Sequence, residues 1–149
     1  MKAHVQRVTR ACVRVGGEEV SRIGRGMLCL LGVVREDDAA TGERLARRVS
    51  QLKLFEDEDD KMRHSALEVG AEILVVSQIT LAWDGSKGHR PSFDAAARPP
   101  GAQELYGAFV ATLREAGLTV AEGVFGAKME VELINSGPVT FLLEEGARD

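Results

Sequence analysis

The sequence predicts an α+β fold in which a mixed, mainly antiparallel sheet packs with two main helices. Two observations carry this prediction. Apolar runs of strand length, bounded by glycine and polar residues, recur along the chain, and two other segments carry their apolar residues at helical spacing. The predicted order is β-β-β-α-β-α-β-β-β, within a single domain that spans residues 1–149.

The first half of the chain accounts for three strands and one helix. Residues 4–15 alternate with period two, and a second strand follows a double-glycine turn. Residues 27–34 form a continuous apolar run, which is typical of a central strand. Asp37 or Asp38 is a candidate N-cap for a helix over residues 40–55.

The second half raises a question about one joint between strands. Residues 71–80 predict a buried strand that ends in polar side chains, and residues 99–117 predict the second helix. Three strands close the chain, over residues 118–125, 128–134 and 139–143. The last joint carries Gly137-Pro138, although Asn-Gly or Asp-Gly is usual there and proline cannot donate to a ladder. The sequence leaves open whether this joint is only a turn.

Composition and charge are those of an ordinary globular chain, with 44% apolar and 28% charged residues. The net charge of −4 means that any nucleic acid would bind through a local patch rather than the overall field. The N-terminus is too polar for a signal peptide, and no run approaches the ~20 apolar residues of a membrane span. We therefore expect a cytoplasmic protein with no membrane partner. Cys12 and Cys29 lie in apolar runs, which favours buried free thiols over a disulfide.

The usual catalytic signatures do not occur in the sequence. It has no G-x-S-x-G elbow, P-loop, dinucleotide fingerprint or zinc-protease motif. The acidic segment 55–65 lacks the spaced ligands of a calcium loop and is expected to be a loop or hairpin tip. Three scattered histidines lack metal-ligand spacing: His4, His64 and His89. We expect neither a metal nor a cofactor.

Three other features are candidates for function. Residues 77–80 end a buried strand, where polar groups either face a site or only satisfy the local backbone. Arg7 shares a strand face with Val5, Thr9, Ala11 and Val13, and is either a buried cation with acceptors or a snorkelling edge residue. A basic patch with interleaved Trp83 and Phe93 suits phosphate contacts and stacking. The patch consists of Lys87, His89, Arg90 and Arg98.

Seven short pieces, in order along nearly the whole chain, resemble the D-aminoacyl-tRNA deacylases. They are QRVTRA (6–11), LLGV (30–33), VVSQIT (75–80), KGHRPSF (87–93), LY (105–106), FGAKM (125–129) and NSGPVT (135–140). The resemblance implies a compact fold with a β-barrel-like sheet, assembled as a homodimer. It implies hydrolysis of the ester that joins a D-amino acid to the 3′ end of tRNA, and also of glycyl-tRNA(Ala).

The resemblance also implies roles for individual residues. Gly137 and Pro138 would form a cis peptide that enters the partner subunit's site and rejects L-aminoacyl groups. Arg7 would hold this filter in place. Phe125 and Met129 match positions that line the pocket for the terminal adenine.

Ser77, Gln78 and Thr80 would form the catalytic segment, mainly through their backbone. Thr80 has no base beside it in sequence, and threonine is a weak nucleophile without one. The resemblance instead implies that main-chain N–H groups polarise the carbonyl while the ribose 2′-OH helps to activate water.

The sequence departs from the family's usual pattern at Ile79, where phenylalanine is common, and at Ser136, where aspartate is common. His89 occupies a variable position of the KG-x-RPSF piece. Two alternatives stay open at this point. One is a related editor with a trans Gly-Pro peptide that removes mischarged L-alanine, and the other is a non-catalytic RNA-binding dimer.

Overall fold

The structure, a computed structural model, describes residues 1–146. The strands are β1 (Lys2–Val15), β2 (Glu18–Ile23), β3 (Gly26–Gly32), β4 (Phe55–Glu56), β5 (Met62–His64), β6 (Glu72–Ser77), β7 (Thr119–Glu122) and β8 (Glu130–Glu144). The helices are α1 (Ala39–Gln51), α2 (Ala66–Val69) and α3 (Gly101–Glu115), with a 3₁₀ turn at Ile79–Ala82.

The main sheet has six strands, in the order β2-β1-β3-β6-β7 with β8 also paired to β1. The β3–β6 and β6–β7 pairs are parallel, whereas every pair that involves β1 is antiparallel. Along one edge β1 pairs first with β3 and then with β2, while β8 follows its other edge. The sheet is therefore nearly closed and barrel-like. The predicted fold class, with two long helices, is confirmed.

Two hydrophobic cores lie on the two faces of this sheet. The larger core packs α1 and α3 against residues such as Val5, Cys29 and Val75. The smaller core lies on the inner face and includes Leu28 and Val76. Successive strand residues alternate between the cores, as the pleat requires. The rigid ends of β3 and β6 between these cores carry the site described below.

The first helix begins where the sequence predicts. Asp38 is the N-cap, and its Oδ1 accepts hydrogen bonds from the Thr41 backbone N–H and hydroxyl, both at 2.7 Å. These bonds, the hydroxyl's first, lower the pKa of the Asp38 carboxyl. The helix ends at Gln51, earlier than the predicted residue 55, because Leu52 adopts an extended backbone and the chain enters β4.

The largest correction concerns the last two predicted strands, which form the single strand β8. Gln6 of β1 lies opposite Thr140, but Val8 lies opposite Asn135, so two steps on β1 match five on β8. Residues 136–139 therefore bulge out of the ladder. Pro138 has no N–H to donate, which suits a position that leaves the ladder. The joint is a bulge within one strand rather than a turn between two.

Two smaller expectations, for the acidic segment and for the cysteines, are met. The acidic segment 55–65 holds the two-stranded β4–β5 hairpin. Cys12 and Cys29 are buried free thiols, and burial raises the pKa of Cys29 to about 12. Across residues 1–146, no helix has the length and apolar character needed to span a membrane.

The close packing of β3 against β6 leads to a test of stability. A Cβ added at Gly26 would lie 1.8 Å from the backbone oxygen of Glu72, whereas one at Gly24 would meet only the Glu72 side chain, at 3.6 Å. We expect Gly26→Ala to destabilise the fold by about 3 kcal/mol, because neither backbone can retreat without breaking the ladder. Gly24→Ala is the control and should stay within about 0.5 kcal/mol of wild type. Urea unfolding measures both, and equal midpoints for the two variants would contradict this packing.

Candidate functional site

An apolar cavity of about 450 Å³ opens beside the end of β6. Its walls come from β3, from the start of the 3₁₀ turn, from α3 and from residues 125–131. It brings together four residues that the sequence singled out, from two segments that are far apart along the chain. These residues are Ser77, Gln78, Phe125 and Met129.

Residues 77–79 line this cavity, whereas Thr80 lies outside its lining among the described residues. The strand predicted over residues 71–80 ends at Ser77, and a 3₁₀ turn follows it. The Gln78 N–H donates to the Leu31 carbonyl at 2.8 Å, which ties the segment to β3. Ile79 and Thr80 are the first residues of the 3₁₀ turn. Within the described chain, no hydrogen bond occupies either of their backbone N–H groups. This turn therefore has two main-chain donors available to an incoming oxygen.

Side chains around the turn do not form a nucleophile–base pair. Thr80 is exposed, and its hydroxyl accepts a hydrogen bond from the Gln78 side-chain amide. Among the described residues, the cavity lining includes none of the histidines. The groups available for chemistry at this end of the cavity are therefore the backbone N–H groups of the turn rather than an activated hydroxyl.

Gly32 allows the turn to lie against β3, and sequence reasoning did not single it out. A Cβ there would lie 2.7 Å from Leu81 Cβ and 3.2 Å from the Gln78 carbonyl oxygen. The signal in the sequence was a single glycine within the otherwise apolar run of residues 27–34. Its close approach to a turn more than forty residues later is a tertiary contact that the run itself does not reveal.

The opposite wall of the cavity is built around two predicted residues. The ring of Phe125 meets that of Tyr106, with 5.7 Å between centroids. The Tyr106 hydroxyl donates to the Val75 carbonyl at 3.0 Å, and burial raises its pKa above the ordinary range. The Met129 sulfur accepts the Val124 N–H at 3.3 Å. Phe125 and Met129 therefore line a fixed apolar slot.

The bulge at 136–139 has its own internal support. The Gly137-Pro138 peptide is cis, and Gly137 has a φ of 125°, a conformation that L side chains rarely adopt. The Asn135 side chain accepts the Val139 N–H at 3.1 Å and donates to the Thr140 hydroxyl at 3.0 Å. Both Gly137 and Pro138 are exposed, so the bulge presents its backbone outward.

Arg7 lies directly behind this bulge. It is 7% exposed, and its Nε donates to the Ser136 carbonyl at 3.1 Å. The alternation predicted for β1 placed Arg7 and Thr9 on the same buried face. It breaks after Arg7, because Val8 is buried and Thr9 is exposed. The cause is the change of register between β1 and β8 at this point.

Within one chain, the predicted residues form two separate groups. Among residues 1–146, the lining of the 450 Å³ cavity includes neither Arg7 nor Gly137 nor Pro138. Arg7 and Ser136 instead line a second cavity of about 240 Å³. The basic patch of Lys87, His89, Arg90 and Arg98 is exposed, as is 59% of Trp83.

Comparisons with known proteins agree with one another. The family model described as D-Tyr-tRNA(Tyr) deacylase matches residues 4–144. A D-aminoacyl-tRNA deacylase of Symbiobacterium thermophilum is 54% identical over 97% of this chain and 95% of the relative. One from Geotalea daltonii is 48% identical over 100% of this chain and 99% of the relative.

Two solved structures share the fold. That of a c-Myc DNA unwinding element binding protein superposes with a TM-score of 0.92 at 44% identity, over 99% of this chain and 100% of that one. That of a probable eukaryotic D-amino acid tRNA deacylase superposes with a TM-score of 0.83 over 95% of this chain and 97% of that one. At 18% identity the second likeness concerns the fold alone. By family model and curated relatives, the chain belongs to the D-Tyr-tRNA(Tyr) deacylase family, and it is an enzyme that hydrolyses D-aminoacyl-tRNA.

Proposed function

We propose that the turn at 77–80 carries out the hydrolysis through its backbone, and that Gly137-Pro138 of a second copy of the chain forms the stereochemical filter of the site. One observation carries this proposal. The cavity joins a turn with two unoccupied N–H donors to an apolar slot between Phe125 and Met129.

The slot suits the terminal adenine of the tRNA 3′ end. An unpaired base is bound by apolar and aromatic side chains that contact its faces, and Phe125 and Met129 offer such surfaces. An adenosine held there would bring its ribose ester toward the 77–80 segment. The exposed basic patch would then meet phosphates of the incoming strand.

The chemistry needs little beyond positioning. The ester carbonyl oxygen would accept hydrogen bonds from the Ile79 and Thr80 N–H groups, which stabilise the negative charge that develops on it. Water would attack the carbonyl carbon with help from the ribose 2′-OH. The bond between the acyl carbon and the ribose oxygen then breaks and gives the D-amino acid and a free 3′ end. Neither cofactor nor metal is required for this route.

The filter would act by exclusion. Attractive contacts separate mirror-image substrates poorly, whereas a rigid wall rejects one of them by a clash. Gly137 brings backbone to the surface without a Cβ, and Pro138 has its φ fixed by the ring. A wall of this kind cannot reject an amino acid without a side chain, so glycyl-tRNA, including glycine on alanine tRNA, would also be a substrate.

A homodimer with sites shared between subunits accounts for the separation of the two groups. Gly137 and Pro138 are exposed and lie outside the lining of their own chain's cavity. The same strand exposes three large apolar side chains, Ile134 (45%), Phe141 (36%) and Leu142 (54%), which a second copy would cover. A tRNA substrate also supports a cytoplasmic location.

The two departures from the family pattern have different consequences. The contact between Arg7 and residue 136 uses the backbone carbonyl, so serine in place of aspartate leaves it unchanged. Ile79 lines the cavity and is 55% exposed, so it alters the shape of the rim rather than the turn's donors.

Thr80→Ala tests the backbone mechanism. We expect the single-turnover rate on D-tyrosyl-tRNA to stay within about threefold of wild type, because the variant keeps the Thr80 N–H. Rapid-quench measurement with intact secondary structure checks this. A fall to the uncatalysed rate would instead assign the chemistry to the hydroxyl.

Pro138→Ala tests the filter. We expect hydrolysis of L-tyrosyl-tRNA to rise about tenfold or more, since alanine frees the φ angle of the wall. The assay pairs D- and L-tyrosyl-tRNA and adds L-alanyl-tRNA as a third substrate. Equal cleavage of D- and L-tyrosyl-tRNA by wild type would contradict the filter. Preferred cleavage of L-alanyl-tRNA would identify the alternative editor, and protection of all esters would identify a binding protein.

Gly32→Ala tests the position of the turn. We expect kcat on D-tyrosyl-tRNA to fall about tenfold or more, because the added methyl group displaces Leu81 and the Gln78 carbonyl. Gly107→Ala is the control, since a Cβ there meets nothing within 4 Å. An unchanged kcat in a stable Gly32→Ala protein would show that the turn's position does not matter.

A further inference from the structure

The guanidinium of Arg7 joins the bulge to a distant segment. Its Nη1 donates to the Leu54 carbonyl at 2.9 Å, and its Nη2 donates to Glu56 Oε1 at 3.1 Å. The same Nη2 lies 3.0 Å from the position that a Cβ at Gly137 would occupy. The nitrogen that packs behind Gly137 is therefore the one that Glu56 holds.

Glu56 is itself in a fixed place. It belongs to β4, which pairs with β5, and its neighbour Phe55 is 1% exposed in the larger core. The Arg25 guanidinium lies over the Phe55 ring, 5.1 Å from its centroid. Asp57 closes the hairpin by accepting the N–H groups of Asp59 and Lys61, at 2.9 and 3.0 Å. These contacts hold the hairpin backbone from which the Glu56 side chain extends.

We propose that Glu56 is a positioning residue for stereochemical discrimination, and that it acts through Arg7 on the backbone of Gly137-Pro138. This proposal rests on the proposed role of Gly137-Pro138 as the filter. Glu56 does not touch the substrate's cavity. It sets the orientation of the buried guanidinium against which the bulge rests.

The ion pair with Arg7 and the cavity beside it both support this role for Glu56. Among residues 1–146, it is the one carboxylate that forms an ion pair with Arg7. Next to the guanidinium lies the cavity of about 240 Å³, which Arg7 and Glu56 both line. Without the carboxylate, Nη2 would lose its acceptor and have space beside it, so the support behind Gly137 would become mobile.

This role predicts a loss of selectivity that a loss of stability does not explain. Solvent screens the pair from the Glu56 side, which is 45% exposed, and Arg7 keeps its two backbone acceptors when the carboxylate is removed. A lower folding stability alone would reduce hydrolysis of both substrates together and leave their ratio unchanged. Small displacements of a wall, in contrast, directly change which substrates clash with it.

The experiment measures kcat/KM on L- and D-tyrosyl-tRNA for Glu56→Ala, Glu56→Gln and the control Glu58→Gln. Glu58 is exposed on the same hairpin and forms no ion pair among the described residues. We expect Glu56→Ala to raise the L/D ratio about tenfold while D-tyrosyl-tRNA hydrolysis stays within about threefold. Glu56→Gln keeps a neutral acceptor and should fall between wild type and Glu56→Ala. Glu58→Gln should match wild type.

A second measurement follows the Arg7 Nε–H signal by ¹⁵N NMR. Its exchange with water should accelerate in Glu56→Ala and stay unchanged in Glu58→Gln. Pro138→Ala distinguishes a failure of the Glu56 role from a failure of the filter role of Gly137-Pro138. If Pro138→Ala relaxes the L/D ratio but both Glu56 variants keep the wild-type ratio, the role of Glu56 is wrong and the filter stands. If Pro138→Ala leaves the ratio unchanged, the filter is wrong and the role of Glu56 is wrong with it.

Discussion

The antiparallel pairing of β1 with β8 is the constraint on which the rest of this molecule depends. β1 is also paired along its other edge, with β3 and β2. Arg7 stays in register with Met27 of β3, and opposite Arg7 the extra residues of β8 leave the ladder. That geometry fixes where the bulge forms, and it leaves Arg7 as the side chain directly behind it.

Burying Arg7 is costly unless each nitrogen of its guanidinium finds an acceptor. The fold meets this need with two backbone carbonyls and one carboxylate, drawn from β8 and from the segment at 54–56. The Arg7 side chain therefore joins three segments that are distant in sequence, namely its own strand β1, the bulge of β8 and the segment at 54–56. A surface turn would move freely, whereas a bulge held against a buried cation keeps a defined position, which is what discrimination by exclusion requires.

The local elements of this structure could be predicted from the sequence. The apolar runs of β3 and β6 and the Asp38 cap depend on neighbours in the chain, so their patterns are visible in it. The 3₁₀ turn that follows Ser77 was not predicted, because residues 79 and 80 are β-branched and continue the pattern of the strand. The continuity of β8 was not predicted, because Gly137-Pro138 interrupts the alternation and only pairing with β1 carries the strand across it. The partners Gly32 and Glu56 were missed for a related reason. Glu56 lies 49 residues from Arg7, and no spacing rule joins the two.

The division of the site into two groups has a physical logic. The proposed hydrolysis uses main-chain donors at a strand end beside an apolar slot, and the turn after β6 and Met129 would provide both within one chain. The proposed stereochemical wall would face the reacting group from the open side of the cavity, and among residues 1–146 the lining includes neither Gly137 nor Pro138 of the same chain. In the proposed dimer, the exposed bulge of a second copy would supply this wall. Selectivity would then depend on the Glu56–Arg7 contact, which lies outside the cavity where the ester would be cleaved.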